Sequence, residues 1–158
     1  MAGQYYHYIV NNSGGRKKIL DPYAKSMSGF NIEEDGLGKG AVVDLDSTDP
    51  DRWSQDDYVE LEDDCNVVIY EMSVRDFTIS PSSDVSKEKR GTYLGFIEKI
   101  PYLKELGITH IQLMPVLNFY FINEYQTEFE DIREMESVEE ANYNWGYDPH
   151  NYFTPEGW

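Results

Sequence analysis

A single cysteine, Cys65, stands in the 158-residue sequence, so no disulfide can close within the chain and no redox compartment follows from it. A buried thiol at the start of a strand is the expectation for this residue. Cations are also scarce, since thirteen Lys and Arg face thirty Asp and Glu and leave a net charge of −17. A phosphate backbone rewards clustered Lys and Arg and repels carboxylates, which excludes nucleic acid as a partner. No run of eighteen apolar residues is present to span a bilayer, and the same acids repel anionic lipid; a soluble chain with no membrane partner is expected. The opening Met-Ala-Gly-Gln-Tyr-Tyr has neither a basic nor an apolar leader region, so no signal peptide is expected in it, and the compartment, cytoplasmic or secreted, stays open. Histidine is sparse too: His7 and His110 fall in expected strands and His150 beside a turn, without ligand spacing, and zinc is not expected.

Aromatic side chains are plentiful, at 15% of the sequence with thirteen tyrosines. Tyrosine has an apolar face and a wet tip, which suits a core but also a surface that holds a sugar, a peptide or a base. The length allows one ordinary domain with a core of its own.

Residues 4–10, β-branched and aromatic throughout, predict a strand ended by the turn cluster Asn12-Ser13-Gly14-Gly15. Ala41-Val42-Val43 predicts another short strand. Residues 44–64 are densely acidic, with Glu62 among ten acids against Arg52 alone, and read as a solvated linker. A calcium ion is the sharper reading of those oxygens. No twelve-residue loop with alternating ligands is present, so no cofactor is expected and calcium is the one ion left open.

From Asn66 the pattern changes. Val67 to Tyr70 is a continuous apolar run, as in a strand buried on both faces of a parallel sheet, and its continuation turns polar at Arg75-Asp76-Phe77. Residues 91–107 predict a helix with apolar positions at Phe96, Ile100 and Leu103 and a glycine stop, in which Pro101 either opens the helix or kinks it. Residues 108–116 predict a second strand. Strand, helix and strand make a βαβ unit, the repeat of both doubly wound sheets and eight-stranded barrels; one unit does not choose between them. In either case ligands gather at the C-terminal ends of the strands. The long segment after Pro115 has no apolar period, and two or three turns of exposed helix are expected within its acidic middle, Glu124 to Glu140.

Near the end, Tyr143-Asn144-Trp145-Gly146-Tyr147-Asp148-Pro149 crowds three aromatic rings and an amide around a glycine. Sugar rings have an apolar C–H face and a rim of hydroxyls, so such a loop reads either as a saccharide platform or as a tyrosine-rich loop packed on its own domain. This heptapeptide resembles the signature of type I pullulanases in the alpha-amylase superfamily, without a departure. Tyr70-Glu71 and Val74-Arg75-Asp76-Phe77 resemble that family's first barrel strand, residues 98–107 its first helix, Gln112-Leu113-Met114-Pro115-Val116 its second strand, and Asp21-Pro22-Tyr23-Ala24-Lys25 its exit from an immunoglobulin-like glucan-associated module. Residues 44–64 match loosely, and Ser73 stands where His is often found.

The resemblance implies an α/β fold: an incomplete (β/α)8 TIM barrel, its first βαβ unit and following loop, preceded by the last strands of an immunoglobulin-like β-sandwich. The implied division is 1–43 for the end of the sandwich module, 44–64 for the acidic linker and 65–158 for the start of the barrel. It implies a fragment of a hydrolase that cleaves α-1,6 branch points of pullulan, starch or glycogen with retention, using two carboxyl groups about 5 Å apart. Those acids follow later barrel strands, so no catalytic residue is expected in this chain, not even Glu71 or Asp76. On the same resemblance Tyr147 stacks on the sugar, Asp148 orders that subsite, Trp145 packs beneath the loop, and Asn144 and Tyr143 are further substrate contacts. The partner is an α-glucan, and uncovered barrel edges predict that the isolated chain is unstable, self-associated or ordered only by a partner segment. Another amylase-superfamily hydrolase or branching enzyme, or a non-catalytic glucan-binding module, are the alternatives.

Overall fold

A computed structural model describes residues 2–60, 63–131, 133–137 and 141–157; Glu62, Glu139 and Glu140 of the acidic stretches lie outside them. The first elements are β1 (Tyr5–Tyr6), β2 (Tyr8–Asn12), β3 (Gly15–Ile19) and β4 (Gly40–Ala41). β2 and β3 form an antiparallel hairpin, whereas β1 pairs antiparallel with β4. The single strand expected over 4–10 is therefore broken at His7, where the chain leaves one ladder for the other and His7 Nε2 lies 2.7 Å from Gly38 O. The hairpin turn is closed by Gly14 N–H donating to Asn12 Oδ1 at 2.9 Å.

The described part of 44–64 is exposed and runs through short 3-10 turns at Leu45–Ser47 and Trp53–Gln55. Cys65 is exposed, not buried at a strand start. It sits in another 3-10 turn capped by Asp63, whose Oδ1 accepts from Cys65 N at 2.8 Å, and the strand begins only at Ile69.

β5 (Ile69–Met72) is followed by the short helix α1 (Val74–Thr78), then α2 (Tyr93–Glu105) and β6 (His110–Leu113). β5 and β6 pair in parallel, Ile69 with His110 through Met72 with Leu113, which makes the expected βαβ unit. Ser73, the departure from the family pattern, caps α1 by accepting from Asp76 N at 3.3 Å. α2 starts at the Thr92 cap and stops at Gly107, whose φ of 79° only glycine adopts without cost. Pro101 lies inside α2, not at its first turn. The burial expected for the first strand is not found: Ile69 is 61% exposed and Val68 46%. A parallel strand is buried when helices cover both faces and strands flank both edges, and this sheet has two strands, with no closed barrel among the described residues.

The segment after Pro115 contains β7 (Leu117–Phe119) and β8 (Pro149–Pro155), an antiparallel pair with two register shifts. The helix expected within 124–140 does not form among the described residues there. Acids at i and i+4 repel along a helix face, and local turns take the backbone instead, with Asn123 Oδ1 accepting from Tyr125 N and Asp131 Oδ1 from Arg133 N, both at 3.0 Å. The main core is here: Phe30, Phe119 and Ile122 are buried together, with Ile32, Tyr120 and Tyr143 against them. Each such burial is worth about 2 kcal/mol.

The early chain is tied to this core through its backbone. Asn151 Nδ2 donates to Asp21 O at 2.9 Å, Thr154 Oγ1 to Ala24 O at 2.7 Å, and Glu124 N to Phe30 O at 2.9 Å. Tyr6 donates to Asp21 at 2.6 Å, and this bond, with burial second, pushes the tyrosine hydroxyl up to about 12. Among the described residues no helix is long and apolar enough to cross a membrane.

Candidate functional site

The aromatic heptapeptide lies over the C-terminal ends of both parallel strands. On the β5 side Asn144 Nδ2 donates to Asp76 Oδ1 in α1. On the β6 side Gly146 passes so close to Pro115 that a Cβ there would meet Pro115 O and Cβ at 2.9 Å. Gly146 also has φ 75°, so both sterics and backbone conformation call for glycine. Tyr143 packs edge-on against Phe119, ring centroids 5.8 Å apart at 84°, and its hydroxyl accepts from Tyr147 N at 3.2 Å. The loop therefore rests on the main core through one ring and carries the next ring outward.

Tyr147 is 60% exposed. Asp148 is half-buried and serves the backbone: Oδ2 accepts from Phe121 N at 2.6 Å and its carbonyl from Tyr120 N at 2.9 Å, while Oδ1 is buried without a partner among the described residues. Trp145 does not pack beneath the loop as expected. It is 58% exposed, because Gly146 and Tyr143 already fill the space against Pro115 and Phe119.

The five expected binding residues separate into two groups. Tyr143, Asn144 and Trp145 line a groove of about 810 Å³ with Arg75, Asp76 and Phe129, and Tyr147 and Asp148 do not line it. Arg75 is half-buried, donates through Nη2 to Gln126 O at 3.3 Å and to Glu128 O at 3.1 Å, and is brought down to about 10, first by burial. Arg75 lies at the strand end where ligands are expected to gather, whereas the one signal for Phe129 in the sequence is that it is the lone aromatic between Tyr125 and Tyr143.

Glu71 is exposed near the end of β5, and Asp76 is exposed in the first turn of α1. His150 packs tilted against Phe30 and edge-on against Tyr120, ring centroids 4.6 and 5.2 Å away, and burial pushes its pKa down. Among the described residues no three His, Cys, Asp or Glu side chains gather as a metal ion would need.

No family model matches the chain. Pullulanase A of Streptococcus pneumoniae serotype 4 is 41% identical over 164 residues, covering 99% of this chain and 13% of that protein. Isoamylase 3, chloroplastic, of Oryza sativa is 37% identical over 141 residues, covering 87% of this chain and 17% of that protein. Among solved structures, the catalytic module of the multi-modular glycogen-degrading pneumococcal virulence factor SpuA superposes with a TM-score of 0.80 at 42% identity, over 97% of this chain and 22% of that one. The chain thus spans about an eighth of its pneumococcal relative's length, and along nearly all of its own length it is of the pullulanase type.

Proposed function

We propose that this chain is part of a retaining α-1,6-glucan debranching hydrolase acting on pullulan, starch or glycogen, and that it supplies one wall of the glucan site. The reading rests on one observation. The heptapeptide is pinned over the C-terminal ends of β5 and β6, through Asn144 to Asp76 and through Gly146 to Pro115, where α/β folds bind ligands. Tyr147, exposed and borne on a core-anchored loop, is the stacking platform; Asp148 holds Phe121 and so fixes that platform's footing. The likeness to a glycogen-degrading catalytic module supports the substrate class.

In this reading β5, α2 and β6 begin a (β/α)8 barrel, residues 1–43 end an immunoglobulin-like module, and the exposed 44–64 stretch links them. The two carboxyl groups of retaining chemistry belong to later strands, beyond residues 1–158. The exposed β5 face then awaits further barrel elements, and the isolated chain self-associates.

The test is reducing-sugar release from pullulan by the full-length polypeptide and by Tyr147→Ala. Cleavage that drops roughly a hundredfold in kcat/KM in the variant supports the assignment, on the scale of one lost transition-state contact. Absence of α-1,6 cleavage from the unmodified polypeptide rejects it, and saturable glucan binding without cleavage turns the reading to a non-catalytic module.

A further inference from the structure

Three side chains converge on the turn 36–38 of the early chain. The Tyr120 hydroxyl donates to Gly36 O at 3.2 Å, His7 Nε2 lies 2.7 Å from Gly38 O, and the His150 ring takes the Leu37 backbone as its hydrogen-bond partner. Two of the chain's three histidines thus meet at one turn. Gly38 is buried there at φ 70°, so near His150 that a Cβ on it would stand 3.0 Å from Cε1 of the ring. Phe30 and Tyr120 supply further walls around the same imidazole.

The two imidazoles differ in how they answer a proton. A carbonyl only accepts, so His7 donates from Nε2, and it keeps that N–H in both its neutral and its charged form. His150 has no such freedom. Its Nδ1 is buried without a partner among the described residues, which the neutral ring tolerates with its proton on Nε2 toward Leu37. The imidazolium carries a second N–H, and at this nitrogen the new donor finds no acceptor while the ring stays packed. The charged groups that face the ring are the carboxylates of Asp35 and Glu124, which favour the imidazolium, and burial outweighs both. Tyr120 is the titratable ring packed on it.

We propose that His150 is an acid-sensitive latch, neutral when it holds the turn 36–38 against the start of β8 and released from that turn when it takes up a proton. The hold is complete above the ordinary histidine range and is lost as pH falls through it, because the packed form favours the neutral ring. Asp148, two residues earlier, holds Tyr120 and Phe121, so release reaches the stretch that carries Tyr147. No sugar enters the latch, and it stands or falls apart from the debranching reading.

Amide hydrogen exchange of residues 33–43 in the full-length polypeptide tests it, at about pH 7.5 and about pH 5, with each rate divided by its intrinsic value. Protection at the acid pH relative to the higher one comes out roughly tenfold lower in the parent than in His150→Gln, which packs a neutral amide donor at both; one proton taken up over more than one pH unit sets that scale. His7→Gln keeps the parent ratio. Equal ratios in the parent and His150→Gln overturn the latch, and so does a ratio in His7→Gln that matches His150→Gln. Where His150→Gln does not fold, NMR of the parent with carbon-labelled histidine decides. A His150 midpoint below the ordinary histidine value, with exchange of the turn rising alongside it, supports the latch; an ordinary midpoint with the turn still protected overturns it.

Discussion

Glu156 meets Glu124 carboxyl to carboxyl where the end of β8 faces the turn after Ile122. Glu156 is 8% exposed; its Oε2 accepts from Phe119 N and its Oε1 from Gly157 N, both at 3.2 Å. Glu124 accepts from Phe30 N at 2.6 Å and from Asn118 Nδ2 at 3.0 Å. The pair therefore joins the early chain, β7 and the end of β8 at one point. Burial first, then the facing carboxyl, pushes Glu156 up to about 9, so a proton held by Glu156 lies between the two groups near neutrality.

That proton makes stability pH-dependent. The folded pKa of Glu156 stands above its ordinary value of 4.5, so between the two values the folded chain binds more protons than the unfolded one and stability falls as pH rises. The slope from this group is at most about 1.4 kcal/mol per pH unit. His150 acts oppositely at lower pH, since its depressed pKa costs stability as pH falls through the histidine range. Urea midpoints from pH 7 to pH 9 thus isolate the carboxyl pair: the parent midpoint falls steadily, while in Glu156→Gln, which keeps a donor toward Glu124, it stays level. Equal slopes in the two proteins refute the shared proton.

The βαβ unit was legible because its signals are local: an apolar run at Val67 to Tyr70, apolar spacing to Leu103 and a glycine stop at Gly107. The β7–β8 pair was not. Its buried positions include Asn118, Asn151 and Thr154, polar residues that an apolar pattern search passes over, and its ladder slips twice. Nor does any side-chain code announce that the carbonyls of Asp21 and Ala24 accept from β8. The outward turn of Trp145 depends on Gly146 filling against Pro115, a contact between residues whose closeness only the fold reveals.

Gly146→Ala should unseat the heptapeptide. An alanine at φ 75° costs about 1 kcal/mol or more by conformation alone. Here the added Cβ also meets Pro115 O at 2.9 Å, a backbone atom that cannot swing aside. Gly107→Ala supplies the comparison, because its φ of 79° is similar and nothing lies within 4 Å of its Cβ. The expected loss is about 1 kcal/mol for Gly107→Ala and about 2 kcal/mol more for Gly146→Ala, read from urea midpoints. Equal losses would show that the Pro115 contact yields.

Gly95→Ala reverses the sign that helix propensity gives. In an open helix interior alanine is worth about 1 kcal/mol over glycine. Gly95 lies in the first turns of α2, buried, where a Cβ would stand 2.2 Å from Lys89 O and 3.2 Å from Thr78 Oγ1. Thr78 is fully buried and its hydroxyl accepts from Gly91 N at 2.9 Å, so neither side of the seam between α1 and α2 has room to give. A net loss of about 3 kcal/mol is expected, since overpacking of this kind outweighs the propensity gain. Leu94→Ala, one residue away and 61% exposed, should change the melting temperature little. If Gly95→Ala melts at or above the parent temperature, α2 does not approach the 86–91 turn as closely as the geometry places it.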